Sequence, residues 1–310
     1  MRKVIVVGEL NVDMILSGMP ALPSLGVEIL ASELHVVMGS SSALCAAGLA
    51  RLGAEVDFWG KVGQDDYGDF VTNQLRLLGV GTDHVVRDST VRTGLTISLT
   101  FSHDRALVTY PGCIPDLRLE DIDLSILRHY SHLHVSSYFL QQGLQAGLPE
   151  LFRQAHHTGL TVSLDTGHDP DEEWGGDDLL RLLERVDIFL PNEEEAQAIA
   201  HADDTETALR KLADHAPLVA VKCGATGAIA LHDDRIVQSP GFQVEAVDTT
   251  GAGDSFNAGF VHAYAIQNLS LEEALRFANA CGALSTTGFG GTAAQPTLEQ
   301  VQAFLELPSR

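Results

Sequence analysis

Nine residues, Asp248-Thr249-Thr250-Gly251-Ala252-Gly253-Asp254-Ser255-Phe256, combine the groups that handle a phosphate. Val244, Ala246 and Val247 precede them as a short strand-like run. Phe256, Phe260, Ala263 and Ile266 follow at helical spacing. A glycine-rich turn between strand and helix aims backbone N–H groups and the helix dipole at one point, a ready anion site. Asp254 falls in the first helical turn beside it. Like charges repel, so a carboxylate there is an odd choice for binding alone. It makes sense as the group that takes a proton from a hydroxyl about to attack the phosphate. Taken by itself, Gly-Ala-Gly-Asp is also an ordinary helix start.

Other polar groups fall where apolar runs end, the position at which parallel α/β sheets build their ligand crevice. Asn11 and Asp13 follow Val4–Val7. Asp165, Thr166, Gly167, His168 and Asp169 follow Leu160–Leu164. Pro191, Asn192 and the acids Glu193 to Glu195 follow Ile188–Leu190, and Lys222, Gly224 and Gly227 follow Leu218–Val221. Each has a plainer reading. Asn192 and Glu195 fit a capping box, Lys222–Gly227 fits a hairpin turn, and Asn11, Asp13 and His168 fit polar loops. Asn279 stands beside the stripe Leu271, Ala274, Leu275, Ala278 and Cys281, where a helix residue needs no function. No His-x-x-x-His or Cys/His ligand spacing falls on a likely site, and no Gly-x-Ser-x-Gly occurs.

The complete run from Asp248 to Phe256 resembles the C-terminal signature of the ribokinase (PfkB) family of carbohydrate kinases, and the resemblance extends from Asp13 to the final helix. It implies transfer of the γ-phosphoryl group of ATP to a hydroxymethyl of a small sugar. Asp254 would be the general base, with the N–H groups of Gly251, Ala252 and Gly253 on the phosphoryl oxygens. It implies that Asn192 and Glu195 support Mg²⁺, mostly through water. Lys222, Gly224, Gly227, Thr250, Asn279 and Gly288 would border the nucleotide, and the loop Ser285–Gly291 would close its pocket. Asn11, Asp13, Gly39 and Ser40 would face the sugar, and Asp248 is a candidate ligand for K⁺. The family's N-terminal signature reads Gly-Gly-x-x-x-Asn-x-Ala. Aligned on Leu49–Gly53, it puts Gly39 and Ser40 at the glycine pair and Leu44 at the asparagine. Leucine cannot hydrogen-bond a sugar hydroxyl, so ribose is not singled out.

The elements that must position these groups read as alternating strands and helices. Continuous strand runs with helical crossovers predict an α/β fold, a doubly wound, mainly parallel sheet flanked by helices. Helices are expected over Ser40–Leu52, Leu144–His157 and Leu179–Glu184, and from Ala252, Leu271 and Leu298. Ser270 with Glu273, and Thr297 with Gln300, mark the last two starts as capping boxes. Two strand-rich insertions break the rhythm. The second alternates through Thr93, Leu95, Ile97, Leu99 and Phe101 and turns near His103 and Asp104, as a hairpin does. The expected division is a main domain of residues 1–11, 37–90 and 113–310 and a small β lid of residues 12–36 and 91–112. The resemblance implies that the lid also forms a homodimer.

Composition narrows the partners. The chain has 310 residues, 19 basic against 42 acidic, for a formal charge of -23. That argues against nucleic acid and anionic membrane as main partners. Cys45, Cys113, Cys223 and Cys281 are scattered among apolar or small residues, as buried free thiols are. Met1-Arg2-Lys3 leads directly into a strand, with no signal-peptide pattern, and a reducing cytoplasm fits. Two rivals to a sugar kinase remain: an adenosine-like nucleoside kinase, for which the lid offers only the aromatics Phe101 and Tyr110, and a non-catalytic binding protein, which would need no base at Asp254.

Overall fold

The computed structural model describes residues 2–101 and 105–307. In chain order its strands are β1 (Lys3–Val7), β2 (Asn11–Ser17), β3 (Glu33–Met38), β4 (Glu55–Gly63), β5 (Gly81–Asp88), β6 (Gly94–Thr100) and β7 (Arg105–Tyr110). There follow β8 (His132–Val135), β9 (Thr161–Leu164), β10 (Ile188–Phe189), β11 (Leu218–Lys222), β12 (Gly227–His232) and β13 (Arg235–Pro240). The helices are α1 (Ser41–Arg51), α2 (Asp66–Leu77), α3 (Gln142–Gln145), α4 (Leu148–His157), α5 (Gly176–Leu183), α6 (Glu193–Ala200), α7 (Thr205–Ala213), α8 (Ala252–Phe260), α9 (Leu271–Ser285) and α10 (Leu298–Glu306).

Nine strands form one sheet in the order β5-β4-β1-β8-β9-β10-β11-β12-β13. It is parallel from β5 to β11, and the hairpins to β12 and β13 turn its far edge antiparallel. Both faces are covered. Val4 and Val6 of β1 join a core with α1, α8 and α9, while Ile5 and Val7 join a second core with α4, α5 and α7. This is why β1 reads as an unbroken apolar run rather than an alternating one.

A polar seam crosses this apolar sheet. His132 Nδ1 meets Thr161 Oγ1 at 2.7 Å and His132 Nε2 meets Ser163 Oγ at 2.8 Å. Ser163 Oγ meets His134 Nδ1 at 2.7 Å, and His134 Nε2 meets Ser136 Oγ at 2.7 Å. Every ring nitrogen of the pair is thereby partnered. Burial holds His132 neutral, with its pKa pushed down to about 3, and holds His134 at about 4.

A separate four-stranded sheet, β3-β2-β6-β7, carries the two insertions. Its strand register puts Met14, Val36, Ile97 and Val108 in one row on one face. Asp13, Val37, Thr96 and Thr109 form a row on the other. The turn expected near His103 and Asp104 lies outside the described residues.

Several expectations need correction. The run around Val244–Val247 is not a strand; its backbone passes the sheet edge with Val247 exposed, tied by the Val247 amide to the Thr286 carbonyl at 2.7 Å. The helix expected over Leu144–His157 is two, broken at Ala146 and Gly147, where Leu119 packs so closely that a Cβ on Gly147 would fall 2.6 Å from its Cβ. β5, β13 and α7 were not foreseen. Beyond α8 the helix continues over Val261–Ile266 with π spacing. Cys223 is only half-buried, unlike the other three cysteines, and all four are free thiols. Among the described residues no helix is long and apolar enough to cross a membrane.

Candidate active site

Gly251 caps α8 with φ 75°, a left-handed conformation that costs a side-chain-bearing residue about 1–2 kcal/mol. A Cβ there would also crowd Leu44 Cδ1 at 3.0 Å and the Gly291 backbone at 3.1 Å. Leu44 is buried, and its side chain fills the space beneath this turn. The Ala252 amide donates to the Thr249 carbonyl at 3.2 Å, closing the turn.

Asp254 sits two residues further on, in the first turn of α8, and is buried. Burial first, and then the charge of Asp165, push its carboxyl up to about 8, against the opposing pull of Lys222. A value near neutrality is what a proton-accepting carboxylate needs.

The C-terminal ends of four parallel strands meet beneath it. Asp165, just past β9, accepts from Lys222 Nζ at 2.7 Å and from the Asn257 side-chain amide of α8. Lys222 also reaches Asn257 Oδ1 at 3.3 Å, and its Nζ lies beside Gly253. Burial opposes both charges of the pair, but each partner outweighs it, so Asp165 is held below the usual carboxylate range and Lys222 above its ordinary value.

Past β10, Asn192 and Glu195 form the capping box of α6. Asn192 Oδ1 accepts the Glu195 amide at 2.8 Å, and Glu195 Oε2 accepts the Asn192 amide at 2.8 Å. The structural reading of this pair therefore holds. Asn192 also bridges to Lys222, which brings the cap next to the ion pair. Burial and the neighbouring Asp165 push the Glu195 carboxyl up to about 7. Past β1, Glu9 is buried as well.

One flank of this cluster opens into a cavity of about 290 Å³ between the β11–β12 turn, α8 and α9. Of the residues assigned to a nucleotide, Lys222, Gly224, Gly227 and Asn279 line it. Gly288 and Thr250 do not. Gly288 packs on Ala294, and Thr249 rather than Thr250 faces the cavity. Asn279 is fixed by donating to the Ser239 carbonyl at 3.0 Å and to Pro240 at 3.2 Å. Asp248 holds the loops together, accepting the amides of Thr250 and Gly290 at 2.9 Å each.

On the opposite flank, Asn11 and Asp13 belong to β2 rather than to a loop, and Asn11 Nδ2 donates to Asp13 Oδ1 at 2.8 Å. The Gly39 backbone passes directly against both side chains, too closely for any Cβ. Ser40 is the N-cap of α1 and donates to the Glu9 carbonyl at 2.6 Å. The His35 ring of β3 packs at a tilt against Phe289, with ring centroids 4.5 Å apart, so the small sheet touches the glycine-rich loop.

Nothing in the sequence singles out Glu9 or Asn257, and Asp165 reads only as one of several polar neighbours. No motif spacing marks them; they reach the site from strands and helices far apart in the chain. The one available signal was position, since Glu9 and Asp165 directly follow apolar strand runs.

Comparison with known proteins agrees with this geometry. Residues 1–298 match the model of the pfkB family carbohydrate kinases. The chain is 33% identical over 306 residues to an ATP-dependent ribose-1-phosphate kinase of Halopiger xanaduensis, covering 98% of each. Its fold superposes with a TM-score of 0.87 on Arabidopsis thaliana ribokinase complexed with ribose and ATP, at 26% identity and over 99% of this chain and 100% of that one. A fructokinase double mutant of Vibrio cholerae, solved with fructose, ADP and potassium ion, gives a TM-score of 0.80 at 27% identity over 99% of each chain. A family match spanning nearly every residue, on a fold whose strand ends gather these buried acids, leads to one conclusion: the chain belongs to the pfkB family of carbohydrate kinases and is a sugar kinase.

Proposed function

We propose that this kinase transfers the γ-phosphoryl group of ATP to a hydroxymethyl of a small carbohydrate, with Asp254 as general base. The observation that carries this reading is Asp254 itself: buried in the first turn of α8, raised in pKa, and next in sequence to Ala252 and Gly253, which line the cavity of about 290 Å³. Asp254 takes the hydroxyl proton as the oxygen attacks. Gly251, Ala252 and Gly253 supply the N–H groups for the phosphoryl oxygens, with Lys222 beside Gly253. Asp13 and Ser40 orient the sugar, and the small sheet acts as the lid over it, in the division of residues 12–36 and 91–112 from the main domain.

The donor set fits Mg²⁺ held through water. Among the described residues no group of three or more His, Cys, Asp or Glu is disposed to hold a metal directly. Yet the buried acids Asp165, Glu195 and Asp254 gather with one lysine, a site that favours an added cation. Asn192 and Glu195, whose cap hydrogen bonds each use one oxygen, would contact the ion's waters; Mg²⁺ would neutralise phosphate charge. Asp248, which ties two loops together, is the residue to hold K⁺.

The apolar face of the small sheet, with Leu34, Val36, Val108 and Tyr110 largely exposed, supports a homodimer through the lid. Four free thiols suit a reducing cytoplasm.

The test is an ADP-release screen over ketohexoses, pentoses, ribose 1-phosphate, sugar acids and nucleosides, with Asp254→Asn alongside. The variant is expected to bind ATP and lose roughly 10²–10⁴ fold in turnover. Near-normal turnover would overturn the base assignment. Activity confined to nucleosides would favour the adenosine-like reading, and no ADP release with any acceptor would favour a binding protein.

A further inference from the structure

Asn257 is a fully buried amide that the proposed reaction does not use. It stands on α8 three residues after Asp254, a spacing that puts the two on one side of the helix. Both ends of its side chain reach beyond that helix. Nδ2 donates to Asp165 Oδ2, just past β9, and Oδ1 accepts from Lys222 Nζ of β11 at 3.3 Å. Lys222 Nζ in turn donates to the same Asp165 oxygen at 2.7 Å. The three side chains close a ring in which each touches the other two.

An amide can donate to an acid and accept from a base at once. Leucine has the same branched outline, can do neither, and would spare the helix a desolvated polar group between Phe256 and Ala258. The cost of the amide is explained if the place of the ammonium group matters. Lysine carries its charge on a flexible four-carbon stem, so a single ion pair leaves it free to swing about the carboxylate. A second tether removes that freedom. It leaves the ammonium group beside Gly253, where a Cβ would lie 3.7 Å from Nζ. Lys222 and Gly253 share the wall of the cavity of about 290 Å³.

We propose that Asn257 is a positioning residue for Lys222, holding its ammonium group at the Gly253 edge of the turn where phosphoryl oxygens bind. The inference rests on the proposed function, which puts the transferred phosphoryl group at Gly251–Gly253. Asp165 and Asn257 occupy two of the three N–H groups of Lys222, and the third serves a phosphoryl oxygen. A charge fixed in advance stabilises the transition state without having to move first. Because Asn257 and Asp254 share α8, the same tether fixes this charge relative to the base.

The test is a double-mutant cycle, read by single-turnover transfer from labelled ATP to the acceptor that performs best in the ADP-release screen. Asn257→Leu alone is expected to lower the transfer rate about tenfold, with the affinity for ATP kept within about threefold. The background for the second arm is Lys222→Met with Asp165→Asn, which leaves no unpaired acid behind. There Asn257→Leu should change the rate by less than about twofold, since no ammonium group remains to be placed. Losses of similar size in both backgrounds would mean that Asn257 only holds the fold, and would overturn the inference. So would a wild-type rate in Asn257→Leu. If the leucine prevents folding, Asn257→Ala replaces it in both arms. Asp254→Asn separates the two levels: if it stays active the base assignment falls, and if it is inactive while the Asn257 losses are additive, only this inference falls.

Discussion

Lys222 Nζ lies 2.7 Å from Asp165 Oδ2, with the side chains of both nearly closed to solvent. Asp254 and Glu195 also feel this ammonium group, so one lysine balances several buried acids. A surface pair of this length would be worth little; a buried one is costly to break from one side, because the surviving charge has no solvent to turn to.

Lys222→Met is therefore expected to cost roughly 3–5 kcal/mol of stability, read as the urea midpoint at pH 7.5. Adding Asp165→Asn should recover a large part of that loss. Equal destabilisation in the single and double variants would show that the lysine acts by packing alone.

The acid limb of kcat/KM should lie near pH 8, where the free enzyme's Asp254 titrates. Below it, activity should fall about tenfold per pH unit, since protonated Asp254 cannot accept the hydroxyl proton. In kcat the limb is expected at lower pH, because a cation bound nearby favours the ionised carboxyl. A profile that is flat from pH 6 to 9 would contradict this.

Acid should unfold the protein through its polar seam. His132 and His134 have folded values of about 3 and 4, below the ordinary 6.5 of an exposed imidazole. The unfolded chain therefore binds more protons between those values and 6.5. The stability they confer is complete above pH 6.5 and drains away as pH falls toward 4. At 1.36 kcal/mol per unit, that interval removes about 3 kcal/mol per histidine. Chemical denaturation at pH 7 and pH 5 should show the loss, and His132→Gln with His134→Gln should flatten it.

Gly251→Ala is expected to lower turnover by at least about tenfold with the fold retained. The new methyl meets a φ of 75° and Leu44 at once, and either response shifts the neighbouring amides. Steady-state kinetics beside a thermal melt separate the two effects. Leu44→Ala in the same chain opens the space but leaves the dihedral strain, so only partial recovery should follow.

What could be read from the sequence was local. Val4–Val7, Leu160–Leu164 and Leu218–Val221 show as strands because burial on both faces leaves no polar interruption, and the capping boxes at Ser270 and Thr297 fix their helices within a turn. Asp254 was legible because the glycine-rich turn that opens its helix is contiguous with it in sequence. Glu9 and Asn257 were not, since their partners lie tens to more than a hundred residues away. The Val244–Val247 run shows the opposite error: β-branched residues suggest a strand, but strands also need a partner, and this one runs past the sheet edge. Leu44 is more informative in space than in alignment. It buttresses Gly251 and Gly291 from below, so its apolar character has a packing reason.

The site takes side chains from Glu9 near the start of the chain to Asn257 and Asn279 late in it, and Gln295 braces the Leu44 carbonyl at 2.8 Å. During synthesis, then, β1 leaves the ribosome carrying an acid whose final neighbours have yet to be translated. Phosphotransfer has no partial form in such an arrangement. A chain stalled before α8 would lack Asp254, so if that residue is the base, activity should appear only once nearly the whole polypeptide has been made.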